Sequence, residues 1–342
     1  MKILLISPTS SGIGGISQHI QGFTKFLKKY GHEVEIISSE NTFTVPIKGL
    51  KNPSFMISSF LKSKFKKNQD IVHAHNIPSA LAMKNSSGKK ILTIHGIFSE
   101  QIDQLHGTIT GKISKKYEKD ALTWADAITV ISKESFDYYT SLGYKVFQVP
   151  NAIDISSISS KEDRRYDKQI IFAGRLSKEK GIDHLIEIAK KLSFDVNLII
   201  LGTGPEESKV QNFVKTQKNI HFLGYQTKEN TLSLIRGSDI LIQPSSKEGI
   251  SSTILESMAC KTVVIASKVG GNKELIKNNF NGFLFEFNAI ESMVDKIETL
   301  FENKSLRQSL ANQAFKTVEK YNWQYVGNLY LKIYDFVLNN PK

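Results

Sequence analysis

Short apolar runs rich in β-branched residues alternate with amphipathic helical stretches along this chain, and the alternation runs through twice. That pattern restricts the fold severely. Strands joined by crossover helices lie parallel, and a parallel sheet needs helices on both faces. The first series predicts strands over 2–7, 33–38, 70–74, 90–95, 127–131 and 145–149, with helices over 16–29, 54–66, 111–124 and 133–141. A polar stretch from Ile155 to Lys168, rich in serine and charge, reads as a linker. The second series predicts strands near 168–173, 196–201, 220–223, 238–242, 262–266 and 282–285, then helix without further strand from about 288. The expected class is α/β, with two tandem doubly wound parallel-sheet domains, 1–155 and 156–342, an interdomain cleft and a helical C-terminus. The last helix is a candidate to pack back on the N-terminal domain. A length of 342 residues agrees with two domains, and no fixed-period repeat is visible.

Composition narrows the partners. Hydrophobic content of 40% supports ordinary cores and excludes a disordered chain. Cys260 is the single cysteine, so an intramolecular disulfide framework is excluded and a reducing cytosol is expected. The opening apolar run is too short for a signal peptide, and no stretch approaches the roughly 18 apolar residues of a membrane span. The expected location is cytoplasmic, at most peripheral on the inner face of the cell membrane. The formal charge of +12 is uneven: residues 1–150 carry 19 lysines, no arginine and 11 acids. Lysines without arginine suit diffuse attraction to lipid headgroups and lack the forked donors that read guanine, so nucleic acid is not an expected partner. Between Pro53 and Lys67, Ile57, Phe60, Leu61 and Phe65 form a stripe beside Lys62, Lys64, Lys66 and Lys67. That pattern fits an anionic membrane surface. A domain helix packing such a stripe on its own sheet is commoner, and is the expectation.

The residues with chemistry cluster at predicted strand ends, where ligands of doubly wound sheets bind. Glu248 and Glu256 are eight residues apart, about 12 Å if a helix starts near Ile250. Two carboxylates at that separation can take hydroxyls at the two ends of a nucleotide-sugar, with the amides of the helix start facing the phosphates between them. At 100° per residue, Ile254, Leu255, Met258 and Ala259 share the buried face, while Ser252 and Glu256 share a neighbouring one. That aims the second acid out of the core. Two acids so spaced also arise by chance, and only their context gives them weight.

Phe172-Ala173-Gly174-Arg175-Leu176-Ser177-Lys178-Glu179-Lys180-Gly181 ends a strand and carries two cations five residues apart, suited to a diphosphate. A solvated helix start is the plain alternative. Gly12-Ile13-Gly14-Gly15 permits a tight turn near an anion, but Ser17 stands where a dinucleotide fingerprint needs glycine. His95 closes a predicted strand, and a histidine there is more often capped by backbone. His73 and His75 make only a weak metal pair, and structural roles are favoured. No acidic pair for a divalent metal is visible, so no metal and no cofactor are expected.

In order and spacing, these pieces resemble a retaining glycosyltransferase of family 4, built from two Rossmann-like domains (the GT-B type), over essentially the full chain. The resemblance is carried by the Gly14-Gly15 loop, Thr93-Ile94-His95-Gly96, Ala125 to Ser132, Val149-Pro150-Asn151-Ala152-Ile153-Asp154 and Gly174 to Gly181. It continues with Leu201-Gly202-Thr203-Gly204-Pro205, Phe222-Leu223-Gly224-Tyr225, Pro244-Ser245 with Glu248 to Glu256, and Gly270-Gly271. It implies that Glu248 holds hydroxyls of the transferred sugar and Glu256 the ribose, while Arg175 and Lys180, in the loop opened by Gly174, grip the diphosphate. Gly249, Ile250, Ser251, Ser252 and Thr253 would complete the site through their amides. His95 would sit near the donor sugar, Gly14 and Gly15 near phosphates and acceptor, and Tyr225 by the base. Ile250, Lys261 and Lys273 depart from the family's commoner residues, which bears on sugar identity more than on fold.

The implied activity is hexosyl transfer (EC 2.4) from a nucleotide diphosphate sugar to a hydroxyl of a glycan, lipid-linked or polyol acceptor. Configuration would be retained and no metal needed. A nucleotide-sugar epimerase of the same build and a non-catalytic nucleotide-binding module are the competing expectations.

Overall fold

β-branched runs too short for helices become twelve strands among the described residues, all paired in parallel. The computed structural model describes residues 1–12, 14–47, 49–97, 108–158 and 160–340, main chain only for 108–113. The chain divides into two compact units, Met1–Ala152 with Trp323–Lys342, and Ile153–Asn322.

In the first unit, β1 (Lys2–Ser7), β2 (Glu33–Ser38), β3 (Ile71–His75), β4 (Lys89–Ile94), β5 (Ala127–Val130) and β6 (Val146–Gln148) form one sheet in the order β2-β1-β3-β4-β5-β6. In the second, β7 (Gln169–Ala173), β8 (Asn197–Leu201), β9 (Ile220–Gly224), β10 (Ile240–Gln243), β11 (Val263–Ser267) and β12 (Phe283–Phe285) run β12-β11-β10-β7-β8-β9. The two-sheet expectation from the sequence holds, with every strand within two residues of its predicted ends.

Period-two alternation sends successive side chains to opposite faces, and both faces are covered. Ile170, Phe172 and Ile242 join one core of the second unit, and Ile171, Ala173 and Leu241 the other. Leu4 and Ile6 against Ile3 and Leu5 divide the first unit in the same way. Each of these isoleucine, leucine and phenylalanine side chains contributes about 1.5–3 kcal/mol by leaving water.

Helix α1 (Gly15–Lys29) follows β1 and buries Ile20, Phe23, Phe26 and Leu27. The terminal helix Trp323–Asn339 packs in the same core, with Phe23 and Tyr330 rings 4.6 Å apart and Tyr334 Oη 2.7 Å from His73 Nδ1. Helix α2 (Lys51–Ser63) starts three residues before its predicted beginning. Proline fits the first turn of a helix, where its missing N–H has no partner to lose, so Pro53 does not delay it.

One expectation changes and another gains detail. The described residues of the stretch read as a linker are bonded to the second unit. The Asp163 amide donates to the Ser233 carbonyl at 2.9 Å, and Arg164 pairs with Asp239 at 2.9 Å, both within the second unit. On α2 the buried face is Phe55, Ser59 and Ser63, spaced four apart, whereas Ile57 and Leu61, with Phe65 just past its end, are exposed and Phe60 is half-buried. Three of the four members of the stripe expected to pack on the sheet are therefore exposed instead.

Candidate active site

A doubly wound sheet leaves a crevice where neighbouring strands send their connections to opposite sides. In the second unit that seam lies between β7 and β10, since β8 and β9 extend one edge and β11 and β12 the other. The loops after β7 and β10 bring two of the sequence-predicted residues, Lys180 and Glu248, together.

Gly181 has φ +73°, and a Cβ there would lie 1.8 Å from the Pro244 carbonyl oxygen, so only glycine lets these loops touch. Gly202 has φ +124°, and its Cβ would meet the Gly174 oxygen at 1.8 Å, which pins the loop after β8 against the same corner. The Ser246 amide adds a bond to the Glu179 carbonyl at 2.9 Å. Across this contact Lys180 Nζ donates to both oxygens of Glu248, at 2.7 and 2.6 Å. The sequence reading gave these two residues separate ligand groups; the fold pairs them with each other. Arg175 is exposed and makes no ion pair among the described residues. Tyr225, just after β9, is also exposed.

Helix α3 (Lys228–Arg236) precedes β10, and α4 (Ser252–Ala259) follows it. The start of α4 is two residues later than Ile250, because Ser251 caps it: its Oγ accepts from the Ile254 amide at 3.4 Å. Ile250 is 4% exposed and packs in the core with Ile254 and Leu255. Its substrate-binding assignment therefore cannot rest on its side chain. Gly249 is exposed at the mouth of the same loop, and Ser252 and Thr253 open the helix half-buried. Glu256 corrects the sequence reading: it is not on a solvated face but 5% exposed, with its carboxylate taken by the Lys228 ammonium from the start of α3. Nothing in the sequence around Lys228 marked it, because the partnership depends on how α3 packs beside α4.

In the first unit Gly14 is the residue before α1 and Gly15 its first, both exposed; Ile13 lies outside the described residues. The neighbouring amides are already in use. Ser10 N–H donates to the Glu40 carboxylate at 3.1 Å and Ser11 N–H at 3.3 Å. Desolvation opposes the charge on Glu40, but bonds from Ser38 and from the Ser10 and Ser11 amides outweigh it and hold the carboxyl at about 2. Glu40 was not singled out by sequence. The one available signal is an acid two residues after the strand that neighbours β1.

His95 follows β4. Its amide donates to Asn76 Oδ1 at 2.9 Å, and its Nε2 lies 3.1 Å from His75 Nδ1. Burial lowers its pKa to about 4, so the ring is neutral at pH 7. His73 is structural: its nitrogens meet Tyr334 Oη at 2.7 Å and Thr93 Oγ1 at 2.6 Å. No helix among the described residues is long and apolar enough to cross a membrane.

Known proteins share this architecture and sequence. Residues 155–317 match the family profile described as Glycosyl transferases group 1, and residues 13–157 that described as Glycosyltransferase Family 4. An uncharacterized glycosyltransferase of Methanocaldococcus jannaschii is 29% identical, covering 95% of both chains. One of Haemophilus influenzae is 30% identical over 71% of this chain and 69% of its own. Among solved structures, a sucrose-phosphate synthase from Thermosynechococcus elongatus superposes with a TM-score of 0.82 at 18% identity, covering 98% of both chains. Anabaena HepE in complex with UDP-glucose gives 0.74 at 17% identity, covering 98% of this chain and all of its own.

Proposed function

Because this chain belongs to the GT-B glycosyltransferases of the family 4 type, we propose that it moves a hexose-type sugar from a nucleotide diphosphate to an acceptor hydroxyl with retention of configuration. It is a glycosyltransferase (EC 2.4) that uses nucleotide sugars. The observation carrying the finer reading is the Lys180–Glu248 pair at the β7–β10 seam.

A diphosphate arriving there competes with Glu248 for the ammonium, and sugar hydroxyls replace the ammonium as donors to the freed carboxylate. Arg175, exposed on the same loop, adds a second cation, and the Ser252 and Thr253 amides at the start of α4, which the Ser251 cap does not take, add donors. As the bond from the anomeric carbon to the phosphate oxygen breaks, negative charge grows on the diphosphate. Lys180 and Arg175 then bind it more tightly than in the ground state, which lowers the barrier. The acceptor hydroxyl attacks from the face the phosphate leaves and passes its proton to a phosphate oxygen. No carboxylate nucleophile is then needed, and the protein's own cations replace a metal. Glu256 is assigned to the ribose, Tyr225 to the base, and neutral His95 to a hydroxyl of the transferred sugar. Gly14 and Gly15 are assigned to the phosphate and acceptor side.

The decisive experiment offers UDP-, GDP- and ADP-sugars with and without glycan, lipid-linked and polyol acceptors. Nucleoside diphosphate release and the product's anomeric configuration are both read. Transfer with inversion overturns the mechanism. Conversion of the sugar without an acceptor overturns transfer itself.

We assign peripheral contact with an anionic membrane to the outer side of α2. Ile57, Leu61 and Phe65 are exposed there, and Phe43, Ile47 and Leu50 of the preceding segment are exposed as well. Lys62, Lys64, Lys66 and Lys67 stand beside them in the sequence, in a half of the chain with a balance of +8. Exposed apolar side chains with lysines beside them in the sequence match an interface of acyl chain and anionic headgroup.

A further inference from the structure

His19 lies on α1, His75 ends β3 and His95 follows β4, and their ligand-capable atoms all lie within 4.8 Å of one another. His75 and His95 face each other across a 3.1 Å hydrogen bond. His75 Nε2 is buried without a hydrogen-bond partner, and buried His19 also has a ring nitrogen without one. Unpartnered buried nitrogens are rare in folded proteins, and in a histidine cluster they have a specific use. We propose that His19, His75 and His95 form a binding site for one divalent transition ion of the Zn²⁺ class.

Neutral imidazole is the form that ligates a metal, and burial lowers the pKa of each ring, so none need lose a proton at pH 7. Three imidazoles with an open fourth position are a recognised zinc set. Bonds of about 2.0–2.1 Å place tetrahedral ligand atoms roughly 3.3 Å apart, so the cluster needs ring rotations moving atoms by about 1 Å. The ion takes the place of the hydrogen between His75 and His95, which moves to the other nitrogen of the ring that carried it, so both imidazoles stay neutral. His95 is half-buried, leaving the fourth position for water. His73 is not a ligand. Its nitrogens are engaged, and it stacks on His75 with ring centres 4.3 Å apart, fixing that ring's plane.

The consequence rests on the role proposed for His95. An ion holding its imidazole removes it from the sugar, so the site inhibits transfer and is no cofactor of it. The test begins with chelator-treated protein in equilibrium dialysis against Zn²⁺ and titration with Co²⁺, whose tetrahedral imidazole complexes absorb visibly. The expected result is one equivalent bound with a tetrahedral cobalt spectrum, weakened at least about tenfold in His19→Gln and in His75→Gln. Circular dichroism and melting confirm that the variants are folded, and His19→Gln decides if His75→Gln does not fold. No bound ion overturns the site, and so does equal binding by wild type and variants, which places the metal on other histidines. None of these readouts needs a donor sugar. Zinc that binds as expected but leaves transfer unchanged upholds the site and removes His95 from the reaction.

Discussion

Lys180 Nζ sits 2.7 and 2.6 Å from the two oxygens of Glu248, a carboxylate only 8% exposed in its side chain. The cation proposed for the diphosphate and the acid proposed for the sugar hydroxyls thus neutralise each other in this structure. Lys180→Ala and Glu248→Gln should each lower turnover on the order of 10²–10³. Lys180→Ala should also weaken nucleoside diphosphate binding, while Glu248→Gln leaves it near wild type. Steady-state kinetics and titration with the nucleotide check this. Near-normal turnover in Lys180→Ala would remove the phosphate role.

The Glu256 carboxylate is 7% exposed and paired with a Lys228 that is 46% exposed. Lys228→Ala leaves a nearly buried charge without its partner and should cost about 1–3 kcal/mol of stability. The double variant with Glu256→Gln should recover part of that loss. If Glu256 holds the ribose, Glu256→Ala weakens nucleotide binding about tenfold or more, and Lys228→Ala does not. Equal binding in both variants and the wild type would exclude ribose as its ligand.

Acid should unfold the first unit early. Burial, with a further contribution from His95, lowers His73 to about 3, and burial lowers His95 to about 4, against 6.5 in the unfolded chain. Below pH 6.5 the unfolded chain therefore binds more protons than the native one, so stability falls with pH until the native rings titrate. These groups cost nothing above pH 6.5. Denaturant midpoints should fall between about pH 7.5 and pH 5, and a flat profile would contradict the buried neutral cluster.

Ile57, Leu61 and Phe65 are exposed. Replacing all three with serine should change stability by no more than about 0.5 kcal/mol per site, as for other exposed positions. The same change should abolish co-sedimentation with anionic phospholipid vesicles at low salt. Wild-type protein should bind these vesicles, ignore zwitterionic ones and be released at high salt. Wild-type protein that stays in the supernatant with anionic vesicles ends the proposal.

Gly181→Ala places a Cβ 1.8 Å from the Pro244 oxygen in a backbone with φ +73°. It should cost at least about 1–3 kcal/mol and, by displacing Lys180, lower turnover in protein that remains folded. Melting and kinetics measured on one preparation separate the two effects.

Much of this was readable before any folding. Strands such as Ile71–His75 and Val263–Ser267 are short β-branched runs bounded by polar residues, a local signal that survives in the sheet. Arg175, Lys180 and Glu248 could be marked as strand-end residues for the same reason. The outward face of α2 was misread because its apolar stripe outweighs the face that is buried, which carries two serines.

The sequence by itself determined the alternation of strands and helices, hence a parallel doubly wound architecture, since periodicity and turn chemistry act within a few residues. Only the tertiary structure decided which charges meet: Lys180 with Glu248, Lys228 with Glu256, Glu40 with the Ser10 and Ser11 amides, and His19 beside His75 and His95. The physical reason is distance along the chain. Such pairs join residues tens of positions apart, and their geometry exists only once strand order and helix packing have brought the loops together.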